Sequence, residues 1–74
     1  MNRHRELARA LADLWNEEIP RGTRVLIQHG GERIEAETLG AAWASFDVPV
    51  IQVCCYRHAD LRIVLLRELE PVGD

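Results

Sequence analysis

The sequence predicts an α+β domain in which one amphipathic helix precedes a five-stranded antiparallel β-barrel. Three observations predict it: apolar residues repeat at helical spacing up to Ile19, they alternate at strand spacing after Gly22, and Gly30-Gly31 is typical of a two-residue hairpin turn. The 74 residues are 47% hydrophobic and 28% charged, as in one small globular domain. We assign residues 1–74 to a single domain, with the helix at 2–19 and the barrel at 22–73.

The helix is the most strongly patterned segment. Its large apolar side chains recur at steps of three and four: Leu7, Leu11, Leu14 and Trp15. Asn2 can cap its first turn, and Pro20 ends it because proline disfavours helical geometry at the preceding residue. Glu17 and Glu18 stand at the negative end of the helix dipole, which is mildly unfavourable unless a basic partner meets them.

The five predicted strands follow in order. They are Thr23–His29, Glu32–Leu39, Val48–Tyr56, Leu61–Leu66 and a short segment at Glu70–Val72. Residues 40–47 are predicted to form an apolar loop, and Arg67–Leu69 a single helical turn. The third and fourth strands are apolar on both faces, so something must cover the second face.

Charge and cysteine content exclude several classes of function. All nine basic residues are arginine, a bias typical of high-GC bacterial genomes, and the net charge of -3 disfavours nonspecific binding to nucleic acid. Cys54 and Cys55 are adjacent, so a disulfide between them would be strained, and the spacing of Cys and His does not suit a metal site. We expect a cytoplasmic protein with reduced thiols, no cofactor, no metal and no membrane span.

Three segments carry a resemblance to SH3-like barrels. They are Gly22–Val25 at the first strand, Ile34–Gly40 at the second, and Leu65–Val72 as a closing turn and strand. The last segment resembles the equivalent part of Tudor-like and KOW-like domains, and the resemblance covers residues 21–73. It implies a small barrel fold, which hosts many activities and so does not by itself imply a function.

The layout is also similar to that of the plasmid-encoded type II dihydrofolate reductases. In that family a Val-Gln-Ile-Tyr segment lines the pore that binds folate and NADPH. The matching segment here is Leu61-Arg62-Ile63-Val64, which keeps only the isoleucine. No nucleophile with an adjacent base is evident either, so we expect a protein that is not an enzyme.

The resemblance to Tudor-like domains implies a candidate ligand site. Such domains bind methylated lysine or arginine in a cage of aromatic side chains. Trp43, Phe46 and Tyr56 are the candidates for such a site here. The alternative is that these aromatics plug one end of the barrel.

Excess apolar surface predicts self-association. A barrel of this size is marginally stable alone, yet apolar residues remain after its core is filled. The candidate interface residues are Leu7, Leu11, Leu14, Trp15, Val50, Cys54, Val64 and Leu66. We expect a homo-oligomer, most simply a dimer.

These observations favour a non-catalytic bacterial binding or adaptor module that self-associates, with a possible protein partner. One alternative is a nucleic-acid-binding regulator of KOW or Sm-like type that uses Arg24, Arg33 and Arg62. Another alternative is a small-molecule binder whose pocket lies between subunits.

Overall fold

The computed structural model describes residues 3–57 and 59–72 and shows one helix followed by a curled antiparallel sheet, a half-barrel. The elements are α1 Arg3–Glu18, β1 Arg24–His29, β2 Glu32–Thr38, β3 Trp43–Ser45, β4 Val48–Cys55, β5 Asp60–Leu65, a 3-10 turn Leu66–Glu68 and β6 Leu69–Pro71. The predicted α+β class is confirmed. Asn2, the predicted cap, and Gly73, the predicted last barrel residue, lie outside the described residues.

The sheet is organised around β4, which pairs with three other strands. One edge of β4 pairs first with β3, through Val48–Val50, and then with β2, through residues 53–55. Its other edge pairs with β5. Beyond β2 the sheet continues through β1 to β6, so the closing strand returns beside the first one.

One strand was missed by the sequence prediction. Residues 40–47 were expected to form a loop, but Trp43 pairs with Val50 and Ser45 with Val48, so this segment forms the short strand β3. Phe46 adopts a positive φ of 57° in the turn that joins β3 to β4. A strand of three residues gives too short an alternation for its pattern to be recognised.

The predicted hairpin between the first two strands is confirmed. Gly30 and Gly31 have φ angles of 58° and 82°, as a tight turn that matches the twist of the strands requires. The turn sets Ile27 opposite Ile34 and Val25 opposite Ala36. Val25, Ile27 and Ala36 are buried in the core on the concave side of the sheet.

Helix α1 packs on the sheet through alanines rather than leucines. Ala8 and Ala12 are 1% and 2% exposed, and Ala12 belongs to the same core as Ile51 and Val53. Trp15 is half-buried against that core. Small side chains allow the helix backbone to approach β3 and β4 closely, so the neighbouring leucines are left outside the contact.

Two hydrogen-bonded clamps fix the helix and its linker to the sheet. The Asn16 side chain accepts a hydrogen bond from Ala42 N at 2.7 Å and donates one to Ala42 O at 3.0 Å. The buried hydroxyl of Thr38 accepts hydrogen bonds from the N–H groups of Gly22 and Thr23, each at 3.0 Å, and donates to Pro20 O at 3.3 Å. The linker between α1 and β1 is therefore held at one buried point.

Replacing Thr38 with valine keeps the shape of the side chain and removes the hydroxyl. We expect Thr38→Val to lower the free energy of unfolding by about 1–3 kcal/mol, because the half-buried Thr23 N–H loses its acceptor. Urea denaturation measures the loss. The control is Thr23→Val, which removes only an exposed hydrogen bond to Pro20 O and should cost less than about 1 kcal/mol. Equal losses in the two variants would contradict the role given to Thr38.

Candidate functional site

The outer face of β3, β4 and β5 is an exposed apolar surface. Opposite residues of an antiparallel pair lie on the same face, and Ile51, Val53 and Cys55 point into the core. The alternate positions therefore face outward. The outward pairs of β4 and β5 are Val50 with Leu65, Gln52 with Ile63, and Cys54 with Leu61.

We call this surface the outer apolar face. It consists of Trp43, Val48, Val50, Cys54, Leu61, Ile63 and Leu65. Leu61 and Ile63 are each 61% exposed, whereas Val50 is buried between its cross-strand neighbours Trp43 and Leu65. Ser45 and Gln52 are the polar side chains at outward positions of β3, β4 and β5, so these three strands place no charge on the face, which Glu37 of β2 borders opposite Cys54.

Part of the interface prediction assumed a pairing between β4 and β5 that the structure does not show. We expected Val50 and Cys54 to share a face with Val64 and Leu66. Val64 instead pairs with Ile51 on the core side, and Leu66 is only 9% exposed. The turn between the two strands has four residues, an even number, so even-numbered positions of β4 pair with odd-numbered positions of β5. The length of this turn follows from the sequence once the strand ends are predicted. It could have identified Leu61, Ile63 and Leu65 as the outward-facing residues of β5.

A second exposed apolar surface lies on helix α1. Leu7, Leu11 and Leu14, which we call the leucine stripe, are 44–58% exposed. At about 100° per residue they occupy a flank of the helix that is about 100° away from the Ala8 and Ala12 contact. Trp15, predicted with them, packs against the core instead.

The three candidate ligand-site aromatics do not come together. Trp43 and Phe46 lie at the hairpin before β4, and Tyr56 follows its last residue. At about 3.3 Å per strand residue, the six residues between Val50, which pairs with Trp43, and Tyr56 span about 20 Å. A single aromatic cage built from all three is therefore not formed within one chain, and the expectation that they cluster is wrong.

Tyr56 instead belongs to a polar cluster on the outer side of the sheet. Its hydroxyl donates a hydrogen bond to Glu37 Oε1 at 3.2 Å, and the guanidinium carbon of Arg24 lies 5.9 Å from its ring centroid. Both partners are exposed or half-exposed, so each contact contributes little stability. Arg24 therefore already occupies one face of the Tyr56 ring.

A surface cleft of about 650 Å³ opens beside Tyr56. It is lined by Glu32, Arg33, Ile34, Glu35, Tyr56 and Arg57, between the β1–β2 hairpin and the end of β4. Two arginines and two glutamates give it both signs of charge. Such a mixed lining suits a polypeptide segment better than a polyanion, whose phosphates would meet the two carboxylates.

The three arginines of the nucleic-acid alternative do not share a surface. Arg24 and Arg33 lie on the outer side of the sheet. Arg62 pairs with Val53 on the core side and lines a gap of about 380 Å³ in the half-barrel. Its Nε donates to Asp60 Oδ2 at 2.8 Å, and this hydrogen bond raises the pKa of Arg62. A continuous basic face is therefore not formed by these residues.

The two adjacent cysteines have different environments. Cys55 is buried in the core, where desolvation raises the pKa of its thiol, so the unreactive thiol form persists at neutral pH. Cys54 is half-buried on the outer apolar face. Both are free thiols.

Neither a metal cluster nor a membrane span is found in the part of the chain that the structure describes. Groups of three or more His, Cys, Asp or Glu side chains that could hold a metal ion do not occur among these residues. Their one α-helix is too short and polar to cross a membrane.

Comparison of the chain with protein-family models, curated proteins and solved structures found no significant match.

The burial of Cys55 makes a testable difference between the two thiols. The variant Cys55→Ala keeps Cys54 as its only cysteine, and the variant Cys54→Ala keeps Cys55. We expect Cys55→Ala to react with a disulfide reagent at least about tenfold faster than Cys54→Ala, because only a thiolate in contact with solvent can attack the reagent. Absorbance of the released thiol measures both rates in dilute protein. In denaturant the two rates should converge. Equal rates in the folded state would contradict the assignment of β4 faces.

Proposed function

We propose that this chain is a non-catalytic binding module that self-associates through its outer apolar face, most simply as a dimer. The observation that carries the proposal is the exposure of Leu61 and Ile63 in a surface that is apolar across three strands. Monomeric proteins rarely leave a large contiguous apolar patch in water. A second copy of the chain is the occupant that we assign to it.

The absence of charge on this face favours an identical partner. In a two-fold contact each surface meets itself, so a charged face would bring like charges together. The outward positions of β3, β4 and β5 contain only apolar side chains, Ser45 and Gln52. Such a face can pack on its own copy without burying an unpaired charge.

We also assign the half-barrel to the SH3-like class and the protein to a reducing compartment. Support for the class comes from the strand order, in which a 3-10 turn leads from β5 to β6 and β6 pairs with β1. Support for the cytoplasm comes from the two free thiols, since a reducing compartment keeps such groups reduced.

The adaptor role is assigned to the cleft beside Tyr56. Its volume of about 650 Å³ is within the range of ligand sites, and its lining includes Arg33, Arg57, Glu32 and Glu35. The cleft lies at the far end of β4 from the hairpin that joins it to β3. A dimer formed through the outer apolar face would carry two copies of this cleft.

A charge placed on the outer apolar face should prevent association through that face. We expect Ile63→Glu to weaken this association by at least about 100-fold, because each subunit would bury an unpaired carboxylate at the contact. Sedimentation velocity over a range of concentrations measures the change. Wild-type protein should also protect Cys54 from thiol reagents as its concentration rises, and Ile63→Glu should abolish this protection.

The matched control is Val72→Glu. Val72 is also an exposed apolar residue, 38% exposed, but it follows β6 at the opposite end of the sheet. The same change there should leave the association constant within about threefold of wild type. A wild-type protein that stays monomeric at high concentration, or a dimer that Ile63→Glu leaves intact, would overturn the proposed interface.

A further inference from the structure

Helix α1 carries its terminal charges in the unfavourable order. Arg3 begins the helix, where the dipole is positive, and Glu17 and Glu18 end it, where the dipole is negative. The last turn contains no basic residue. Both ends are exposed. Glu6 in the first turn complements the dipole, but in the isolated helix Arg3, Glu17 and Glu18 oppose it.

Arg3 and Glu18 lie in line with the leucine stripe. The positions 3, 7, 11, 14 and 18 are separated by steps of three and four, so they form one row along the helix. The row runs from a positive end, through three exposed leucines, to a negative end. It spans about 22 Å at 1.5 Å per residue.

This row is self-complementary when two copies of α1 pack antiparallel. Leu7 and Leu14 are equally distant from the middle of the helix, and so are Arg3 and Glu18. The register that sets Leu7 against Leu14 of the partner subunit therefore also sets Arg3 against Glu18 of the partner subunit. Leu11 lies close to the two-fold axis and faces Leu11 of the partner subunit. A parallel arrangement would instead bring like charges together at both ends.

We propose that the leucine stripe is a second self-association surface, on which α1 of another copy packs antiparallel with Arg3 and Glu18 paired between subunits. The partner's carboxylate then approaches the positive end of each helix, and the partner's guanidinium approaches the negative end. The terminal charges of each helix therefore stabilise the dipole of the other helix. The pairing uses residues that the outer apolar face does not.

Two different two-fold surfaces on one chain have a consequence for the assembly. If each surface is used once by every subunit, a dimer formed through one surface still exposes the other. The smallest closed assembly that uses both is a tetramer. Charge on one surface should reduce it to dimers, and charge on both should give monomers.

A charge-reversal cycle tests the helix pairing. Arg3→Glu and Glu18→Arg should each weaken helix-mediated association about tenfold at low salt, because the two-fold contact contains two such pairs and each attraction becomes a repulsion. The double variant should recover the wild-type value to within about threefold. Sedimentation velocity in the Ile63→Glu background isolates this contact. If Ile63→Glu fails to fold, the same cycle in the wild-type background measures the step from dimer to tetramer.

The cycle separates pairing between subunits from an effect on the helix itself. Each single reversal puts the charge that the dipole favours at its end of α1, so the thermal midpoint of the dilute monomer should stay the same or rise. Weaker association together with an unchanged or higher midpoint is the expected result. Weaker association that the double variant does not recover would overturn the antiparallel register.

The outcomes also separate this surface from the outer apolar face. An Ile63→Glu protein that remains dimeric and becomes monomeric with Leu11→Glu supports the leucine stripe. A wild-type dimer that Ile63→Glu converts entirely to monomer overturns the leucine stripe and leaves the outer apolar face standing. A wild-type dimer that only Leu11→Glu dissociates supports the leucine stripe and overturns the outer apolar face.

Discussion

The pairing of β4 with three other strands is the constraint on which the rest of the structure depends. Along one edge β4 changes partner from β3 to β2, so the sheet curls and encloses the core formed by Ile51, Val53 and Cys55. Along the other edge its register with β5 decides which apolar side chains face outward. A shift of one residue would bury Leu61 and Ile63 and expose Val64. The core and the proposed interface are thus determined by the same set of backbone hydrogen bonds.

The choice of alanine for the helix contact links the fold to the proposed assembly. Ala8 and Ala12 let α1 lie close to the sheet, and the larger side chains on the adjoining flank then find no room beneath it. In a chain of 74 residues most large apolar side chains would be expected to fill the single core. Leucines exposed to water are unfavourable in a monomer, and their transfer from water to a complementary surface stabilises an assembly.

Periodicity in the sequence was sufficient to predict the helix, the Gly30-Gly31 hairpin and the long strands, because each depends on local pattern. Strand β3 escaped prediction because three residues carry too little pattern. The outward residues of β5 escaped it because both faces of that strand are apolar, so hydrophobicity alone cannot distinguish them. The separation of Tyr56 from Trp43 and Phe46 required knowledge of the pairing. Leu7, Leu11 and Leu14 were recognised as apolar, but the alanine contact that exposes them depends on tertiary packing.

The clamp at Thr38 has a consequence for the order in which an oligomer would form. Exchange of α1 between two subunits requires the linker at residues 20–23 to swing away from β2, which breaks the hydrogen bonds that Thr38 makes to it. It also breaks both bonds between Asn16 and Ala42. Each chain is therefore expected to fold completely before it meets another. Protein concentration would then affect a final bimolecular step and leave the rate of folding unchanged, in contrast to proteins whose chains intertwine as they fold.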